Sequence, residues 1–209
     1  MTGFFSIAAA YLLGSIPFGY LAGRLVKQDD IRNYGSGNIG ATNVLRLLGP
    51  AAAGLVLILD IAKGSTAVWL ARALTGEDQY CLMAAMAVLV GHCWPLFLGF
   101  KGGKGTATGL GILFALVKAP VWGGILIFAG VVMGITRYVS LVSILAAVVF
   151  PFLLWGFKYP PGYIYAGTAM SMLVIIRHRA NIRRLINGTE PRLGEKADVL
   201  ENERGGTRK

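Results

Sequence analysis

Seven apolar stretches alternate with short polar segments along the chain: roughly 4–25, 50–74, 80–98, 106–118, 120–136, 139–157 and 160–176. A helix needs about 20 residues to cross a hydrocarbon core of about 30 Å. The lengths therefore predict membrane-spanning helices. The fourth stretch is short and with its neighbour could form a re-entrant pair, which leaves five or six true spans as the alternative. Pro17, Pro95, Pro120 and Pro151 predict kinks or helix ends. Gly14, Gly19 and Gly23 on the first stretch, and Gly123, Gly124, Gly130 and Gly134 on the fifth, predict close helix packing rather than chemistry. The second stretch carries Asp60 and Lys63, three apart on one helix face, and reads as a structural ion pair. Its alternative is a direct role, because ionisable residues inside a membrane are costly and often functional.

Composition supports the same picture. Of the 209 residues 55% are hydrophobic and 14% charged, against about 25% charged in soluble domains. The predicted fold is an all-α integral membrane protein with about seven transmembrane helices. One polytopic domain spans 1–190, followed by a polar tail, 191–209, whose mixed charge predicts disorder.

The net charge of +10 changes the picture by its distribution. With the N-terminus outside, the inner segments hold Arg24, Lys27, Arg32, Lys101, Lys104, Arg137 and the basic run from Arg177 to Lys209. The outer loops hold Glu77 and Asp78, with Lys118 and Lys158 nearby. That asymmetry obeys the positive-inside rule, needs an odd span count, and places the C-terminus in the cytosol. The charge also suits anionic membrane lipids. It does not suit nucleic acid, because no exposed aromatics interleave with the basic residues. The N-terminus lacks the basic n-region of a cleavable signal. Cys81 and Cys93 lie about 18 Å apart along one predicted helix, too far for a disulfide. No Cys/His spacing suggests a metal, and no cofactor is implied.

Two glycine-rich polar cassettes interrupt the apolar pattern. The first is Gly35-Ser36-Gly37-Asn38-Ile39-Gly40-Ala41-Thr42-Asn43, with Arg46 on what reads as the first turn of the second span. The second is Lys101-Gly102-Gly103-Lys104-Gly105-Thr106-Ala107-Thr108. Irregular backbone cannot face lipid, so both must lie at the interface or line a wet cavity. The second resembles a Walker A loop but fails it: Gly105 follows Lys104 where Ser or Thr is needed, and Leu98 stands where the first glycine belongs. What survives is an anion site: Gly102, Gly103 and Gly105 forming a nest of N–H groups, a helix starting near Thr106, and the Lys104 charge. Its alternative is a flexible basic loop near headgroups. In the first cassette Gly40 and its companions bare the backbone, and Ser36, Asn38, Thr42 and Asn43 offer hydroxyls and amides. Arg46 can fork two phosphate oxygens. Helix capping would explain one or two of these polar residues, not all four.

His178 and Asn181 share a helix face at the cytosolic edge. The histidine is either structural or a hydrogen-bond donor or base beside the phosphate site. Arg137, Ser140 and Ser143 begin the sixth span. Membrane-helix serines usually bond back to the helix, but one facing a cavity could bind substrate. There is no G-x-S-x-G elbow. Neither histidine has Asp five residues on, where Phe97 and Arg183 stand, and neither cassette contains a carboxylate.

Three segments in order, Gly35 to Arg46, His92 to Gly109 and His178 to Glu190, resemble the cytosolic motifs of the bacterial acyl-phosphate:glycerol-3-phosphate acyltransferase family (PlsY type), and the hydrophobic layout is similar over about residues 3–190. The resemblance implies transfer of an acyl group from acyl phosphate to the 1-hydroxyl of sn-glycerol 3-phosphate, giving lysophosphatidic acid and phosphate at the bacterial inner membrane. From the motifs it implies catalytic roles for Ser36, Arg46, Lys104, His178 and Asn181. It leaves Asn38, Gly40, Thr42, Asn43, Gly102, Gly103, Gly105, Thr106 and Ser143 as substrate-binding candidates, and Glu190 as structural. The rival reading, a small organic-anion transporter, draws on the intramembrane charge pair. Against it stand the absence of internal repeats and the gathering of polar residues on one face.

Overall fold

The computed structural model describes residues 1–195, and the described chain is entirely helical apart from its loops. Ten α-helices follow in order: α1 Thr2–Gly14, α2 Phe18–Lys27, α3 Ala41–Leu48, α4 Pro50–Thr75, α5 Asp78–Cys93, α6 Thr106–Leu116, α7 Ala119–Thr136, α8 Val139–Gly156, α9 Pro161–Arg177 and α10 Arg179–Ile186. Five helical segments are long and apolar enough to cross a membrane: Thr2–Lys27, Pro50–Thr75, Asp78–Leu98, Ala119–Thr136 and Val139–Gly156. Two predicted spans are shorter. α9 has 17 residues, and α6 has 11, or about 16 Å of helix. Yet α6 ends where the Lys118 N–H donates to Tyr159 Oη (2.7 Å), in the loop joining α8 to α9.

Three of the four prolines stand at helix ends, as expected. Pro17 separates α1 from α2, Pro95 follows the end of α5, Pro120 opens α7, and Pro151 lies inside α8. The two breaks near the cassettes are closed by side chains, as an apolar setting demands. Tyr11 Oη donates to the Trp94 carbonyl (3.0 Å), and the Leu96 N–H donates to Ser15 Oγ (3.3 Å). Lys63 Nζ donates to the Ile16 carbonyl (2.9 Å) and pairs with Asp60 Oδ1 (2.8 Å), so the structural ion pair forms.

α4 is the central helix, packing on α6, α1, α5 and α3. The α4–α6 contact is backbone against backbone. A Cβ on Gly111 would lie 1.9 Å from the Ile61 carbonyl oxygen, and one on Gly64 2.3 Å from that of Thr108. Ser65 Oγ adds a bond to the Gly111 carbonyl (2.8 Å). Small residues thus let the two helices touch. Gly14 does the same for α1 against Val88 of α5, and Gly19 and Gly23 let α2 lie against Ile39 and Ile31 of the segment before α3, whereas Gly123, Gly124, Gly130 and Gly134 on α7 meet nothing within 4 Å. The packing expectation therefore holds for the first stretch and not, within this chain, for the fifth. Cys81 and Cys93 are free and buried.

Two local expectations are corrected. Arg46 does not sit on the first turn of the second span. Gly49, at φ +85, breaks α3 from α4, and Arg46 lies in the last turn of α3. Nor are 191–195 an unstructured start to the tail. The Leu193 N–H donates to the Arg137 carbonyl (2.8 Å), and Arg137 Nη2 donates to the Leu193 carbonyl (2.9 Å). The rest of the predicted tail, 196–209, lies outside the described residues.

Gly64→Ala and Gly111→Ala should each destabilise the protein by about 1–3 kcal/mol through overpacking, while Gly130→Ala should leave stability nearly unchanged. Thermal unfolding in detergent micelles measures both.

Candidate active site

The three sequence-distant segments meet in one polar cavity of about 190 Å³. Ser36, Asn38, Gly40, Thr42, Asn43 and Arg46 come from the first cassette and α3. Lys104, Gly105 and Thr106 come from the second cassette, and Ser140 and Ser143 from α8. His178, Asn181, Arg184 and Glu190 close it from α10 and the segment after it. The N-terminal turns of α3, α6 and α8 all border this space, through Gly40 to Thr42, Gly105 to Ala107, and Val139 to Ser140. The first N–H groups of a helix have no partner within it and carry its positive dipole end. Three such turns around one cavity make a place for phosphate.

The first cassette is shaped by Asn43, which is buried. Its Nδ2 donates to the carbonyls of Asn38 (2.9 Å), Tyr34 (3.1 Å) and Ile31 (3.2 Å), and its Oδ1 accepts from the Ser36 N–H (3.0 Å). The amide is spent on folding the loop, so Asn43 acts as a scaffold and not as the phosphate donor expected of it. Gly35 and Gly37 take positive φ (+57 and +66), which the loop path requires and which glycine adopts without strain.

The second cassette also departs from expectation. The N–H groups of Gly102 and Gly103 do not form an anion nest. They donate to the Cys93 (3.2 Å) and His92 (3.0 Å) carbonyls left open at the end of α5. Their own carbonyls accept from Arg177, whose Nη2 reaches Gly102 (2.9 Å) and Nε reaches Gly103 (3.0 Å) while the guanidinium stacks on Trp94. Neither glycine borders the cavity. They anchor the loop, and the anion-facing backbone begins at Gly105, in the left-handed region at φ +87 where α6 starts.

Two cations face the cavity with no hydrogen bond or ion pair among the described residues, Arg46 and Lys104. Burial, aided by the nearby Arg184, Arg46 and Arg177 charges and opposed by Glu190, brings the Lys104 ammonium down to about 8. Burial likewise lowers Arg46, which stays cationic at neutral pH. His178 Nδ1 lies 2.8 Å from the Val174 carbonyl, which can only accept. Nδ1 therefore holds the proton. Burial pushes the ring down to about 4, with Lys104 and Arg177 adding to the shift, so His178 is neutral at pH 7 with Nε2 left as an acceptor.

Glu190 is the hub of the third segment. Its Oε1 accepts from Ser140 Oγ (2.6 Å) and Asn181 Nδ2 (2.7 Å), and its Oε2 from Arg184 Nε (2.7 Å). Burial alone would raise the carboxyl, but these bonds outweigh it and hold Glu190 below its ordinary value. With Nδ2 committed to Glu190, Asn181 Oδ1 is left buried without a partner among the described residues. Ser143 Oγ bonds back to the Val139 carbonyl (2.9 Å), as membrane serines do, and still borders the cavity.

Sequence reading missed Arg177, Arg184 and His92 as parts of the site, while Ser140 and Asp60, weighed there as alternatives to purely structural roles, border the cavity. For the missed three the only signal was proximity to a motif. His92 opens the second segment and Arg177 precedes the third, but nothing in their spacing shows that one supports a loop and the other clamps it. An apolar groove of about 260 Å³, lined by Leu113, Ile125, Ala146, Phe150 and Val174 among others, runs between α6, α7, α8 and α9. It shares Gly105, Thr106, Leu110, Val139 and Ser143 with the polar cavity.

Asn43→Ala should cost about 1–3 kcal/mol by leaving buried backbone groups unpaired, and should open residues 31–40 to limited proteolysis. Asn43→Asp should not restore protection, because it keeps the acceptor and loses the donors.

The sequence profile of the Glycerol-3-phosphate acyltransferase family matches residues 4–188. The glycerol-3-phosphate acyltransferase of Gloeobacter violaceus is 45% identical over 200 residues, covering 91% of this chain and 94% of the relative. That of Halalkalibacterium halodurans is 44% identical over 204 residues, covering 94% and 98%. The fold matches the crystal structure of PlsY (YgiH), an integral membrane glycerol 3-phosphate acyltransferase, in its glycerol 3-phosphate form. The TM-score is 0.88 at 40% identity, over 93% of this chain and 96% of that one. The same protein in its lysophosphatidic acid form matches with a TM-score of 0.84. With its three motifs folded into one cavity, this multi-pass membrane chain belongs to the glycerol-3-phosphate acyltransferase family.

Proposed function

We propose that the protein transfers a fatty acyl group from acyl phosphate to the 1-hydroxyl of sn-glycerol 3-phosphate, releasing lysophosphatidic acid and inorganic phosphate as the first step of bacterial phospholipid synthesis. The observation that carries this reading is the junction of two unlike spaces: a cationic cavity bordered by three helix N-termini shares a wall with an apolar groove between helices. One substrate is wholly polar. The other joins a phosphate to an alkyl chain, and the junction accommodates both. Ser143 and Thr106 border both spaces, so the acyl carbonyl belongs beside them.

The chemistry asks little of the enzyme beyond placement. The glycerol hydroxyl oxygen attacks the acyl carbonyl carbon, the carbon–oxygen bond to phosphate breaks, and phosphate leaves with the electron pair. Because acyl phosphate is already activated, positioning two anions and stabilising the developing charge supply most of the acceleration. Lys104 and the start of α6 hold a substrate phosphate, with Arg46 and Ser36 assisting from α3 and the first cassette. Asn181 Oδ1 is oriented to accept a hydrogen bond, and glycerol 3-phosphate is the substrate with hydroxyls to donate. Both carboxylates in the wall are already engaged, Asp60 by Lys63 and Glu190 by its three donors. The hydroxyl proton passes to His178 Nε2 or to a substrate phosphate oxygen.

In this reading the protein sits in the bacterial inner membrane, and residues 1–190 form the enzyme, with the tail beginning at 191. The N-terminus lies outside and seven helical segments cross, α6 and α9 included. Support comes from the clustering of the cationic residues at the cavity end of the bundle and from the contact of Lys118 with Tyr159 at the end of α6.

Purified protein given acyl phosphate and labelled glycerol 3-phosphate in detergent should form lysophosphatidic acid. Lys104→Ala should abolish phosphate release, and release at the wild-type rate would overturn the site. Lys104 is charged below about pH 8 and neutral above it, so substrate affinity should fall as pH rises through that value. His178→Ala separates the proton acceptors. A loss of about a hundredfold or more in kcat/KM fits a general base, whereas near-normal kcat with raised KM assigns the proton to substrate phosphate.

A further inference from the structure

The second cassette is held from one side by Arg177. From the other side it rests on His92. A Cβ on Gly103 would lie 2.1 Å from His92 Nε2, so the imidazole is the surface on which the loop lies, immediately before Lys104. The ring is 4% exposed, and its Nδ1 has no hydrogen-bond partner among the described residues. Nδ1 faces Asp60 Oδ1 at 3.7 Å, longer than a hydrogen bond but close enough for the carboxylate charge to act on it. Asp60 is 2% exposed, and Lys63 balances it at 2.8 Å. Both Asp60 and His92 border the polar cavity.

We propose that Asp60 is a positioning residue that acts through His92 on the second cassette. The carboxylate can only accept, so it selects the tautomer with the proton on Nδ1 and turns the Nε2 lone pair toward Gly103. The ring height then sets where Lys104 meets the substrate phosphate. In this proposal a bound substrate phosphate draws the cassette inward, and the Asp60–His92 gap closes to a hydrogen bond. The aspartate thus links the buried ion pair of α4 to the loop that grips the anion. This inference rests on the reading that the second cassette binds a substrate phosphate.

The wild-type protein provides the first test. The chain has two histidines, so a spectrum of ¹⁵N-histidine-labelled protein carries two imidazoles, and His178→Ala assigns them. His92 should be neutral with the proton on Nδ1, and saturating glycerol 3-phosphate or acyl phosphate should shift that signal toward a stronger hydrogen bond. A proton on Nε2, or no response to either substrate, overturns the proposal. The second test uses charge-neutral pairs, so that no ion is left buried alone. Asp60→Ala with Lys63→Gln should raise the KM of one substrate by about tenfold and leave kcat and the other KM unchanged, as loss of an outer-shell contact does. Asp60→Asn with Lys63→Gln keeps an oxygen facing His92 and should recover most of the loss. Unchanged KM values in the alanine pair, or no recovery in the asparagine pair, refute the role. If the pairs do not fold, the wild-type spectrum still decides. Loss of Lys104 dependence would refute the phosphate site itself without altering the histidine tautomer, so the two failures are distinguishable.

Discussion

A bilayer allows no unpaired backbone, and this protein breaks two membrane helices beside its functional loops. The Asp60–Lys63 pair on α4 stands at both breaks. Lys63 satisfies the Ile16 carbonyl where α1 gives way to α2, and Asp60 faces His92 where α5 ends and the second cassette begins. An isolated charge at this depth would be prohibitive, but a paired one costs far less. Phe18 also packs against the ammonium. One helix thus brings polar groups to both breaks, and its glycine contact with α6 fixes where the positive end of that helix dipole points.

The same economy governs the cavity. Each cation that borders the site without a partner among the described residues, Arg46 or Lys104, stands near cations already committed elsewhere: Arg177 to loop carbonyls, Arg184 to Glu190. The committed groups build the shape, and in the proposed function the other two hold substrate anions. Glu190 plays the reverse part. A carboxylate in a phosphate site would repel substrate, but three donors saturate it, and in return it fixes the orientation of Asn181.

The motifs were legible because glycine, hydroxyl and cationic residues are conspicuous in an apolar chain. The candidates named from them border one cavity, except Gly102 and Gly103. Those two show where such reading stops. A glycine in a polar loop is equally suited to offering its N–H to an anion or to pairing with a neighbouring helix end, and only the exposed carbonyls of His92 and Cys93 decide between them. Asn43 is similar, since a carboxamide can serve a ligand or a loop, and here four backbone groups claim it. Arg46 was displaced from its expected helix because Gly49 can either continue a helix or break it, and at φ +85 it breaks it.

By itself the sequence determined that the chain is helical and membrane-embedded, and that two glycine-rich, cationic polar cassettes interrupt its apolar pattern. These follow from composition and periodicity, which are local properties. The tertiary structure decided which donors remain unspent, which histidine rests on which loop, and that the polar cavity adjoins an apolar groove. Those outcomes depend on partners tens of residues away, and a hydrogen bond spent on one partner is no longer available to another.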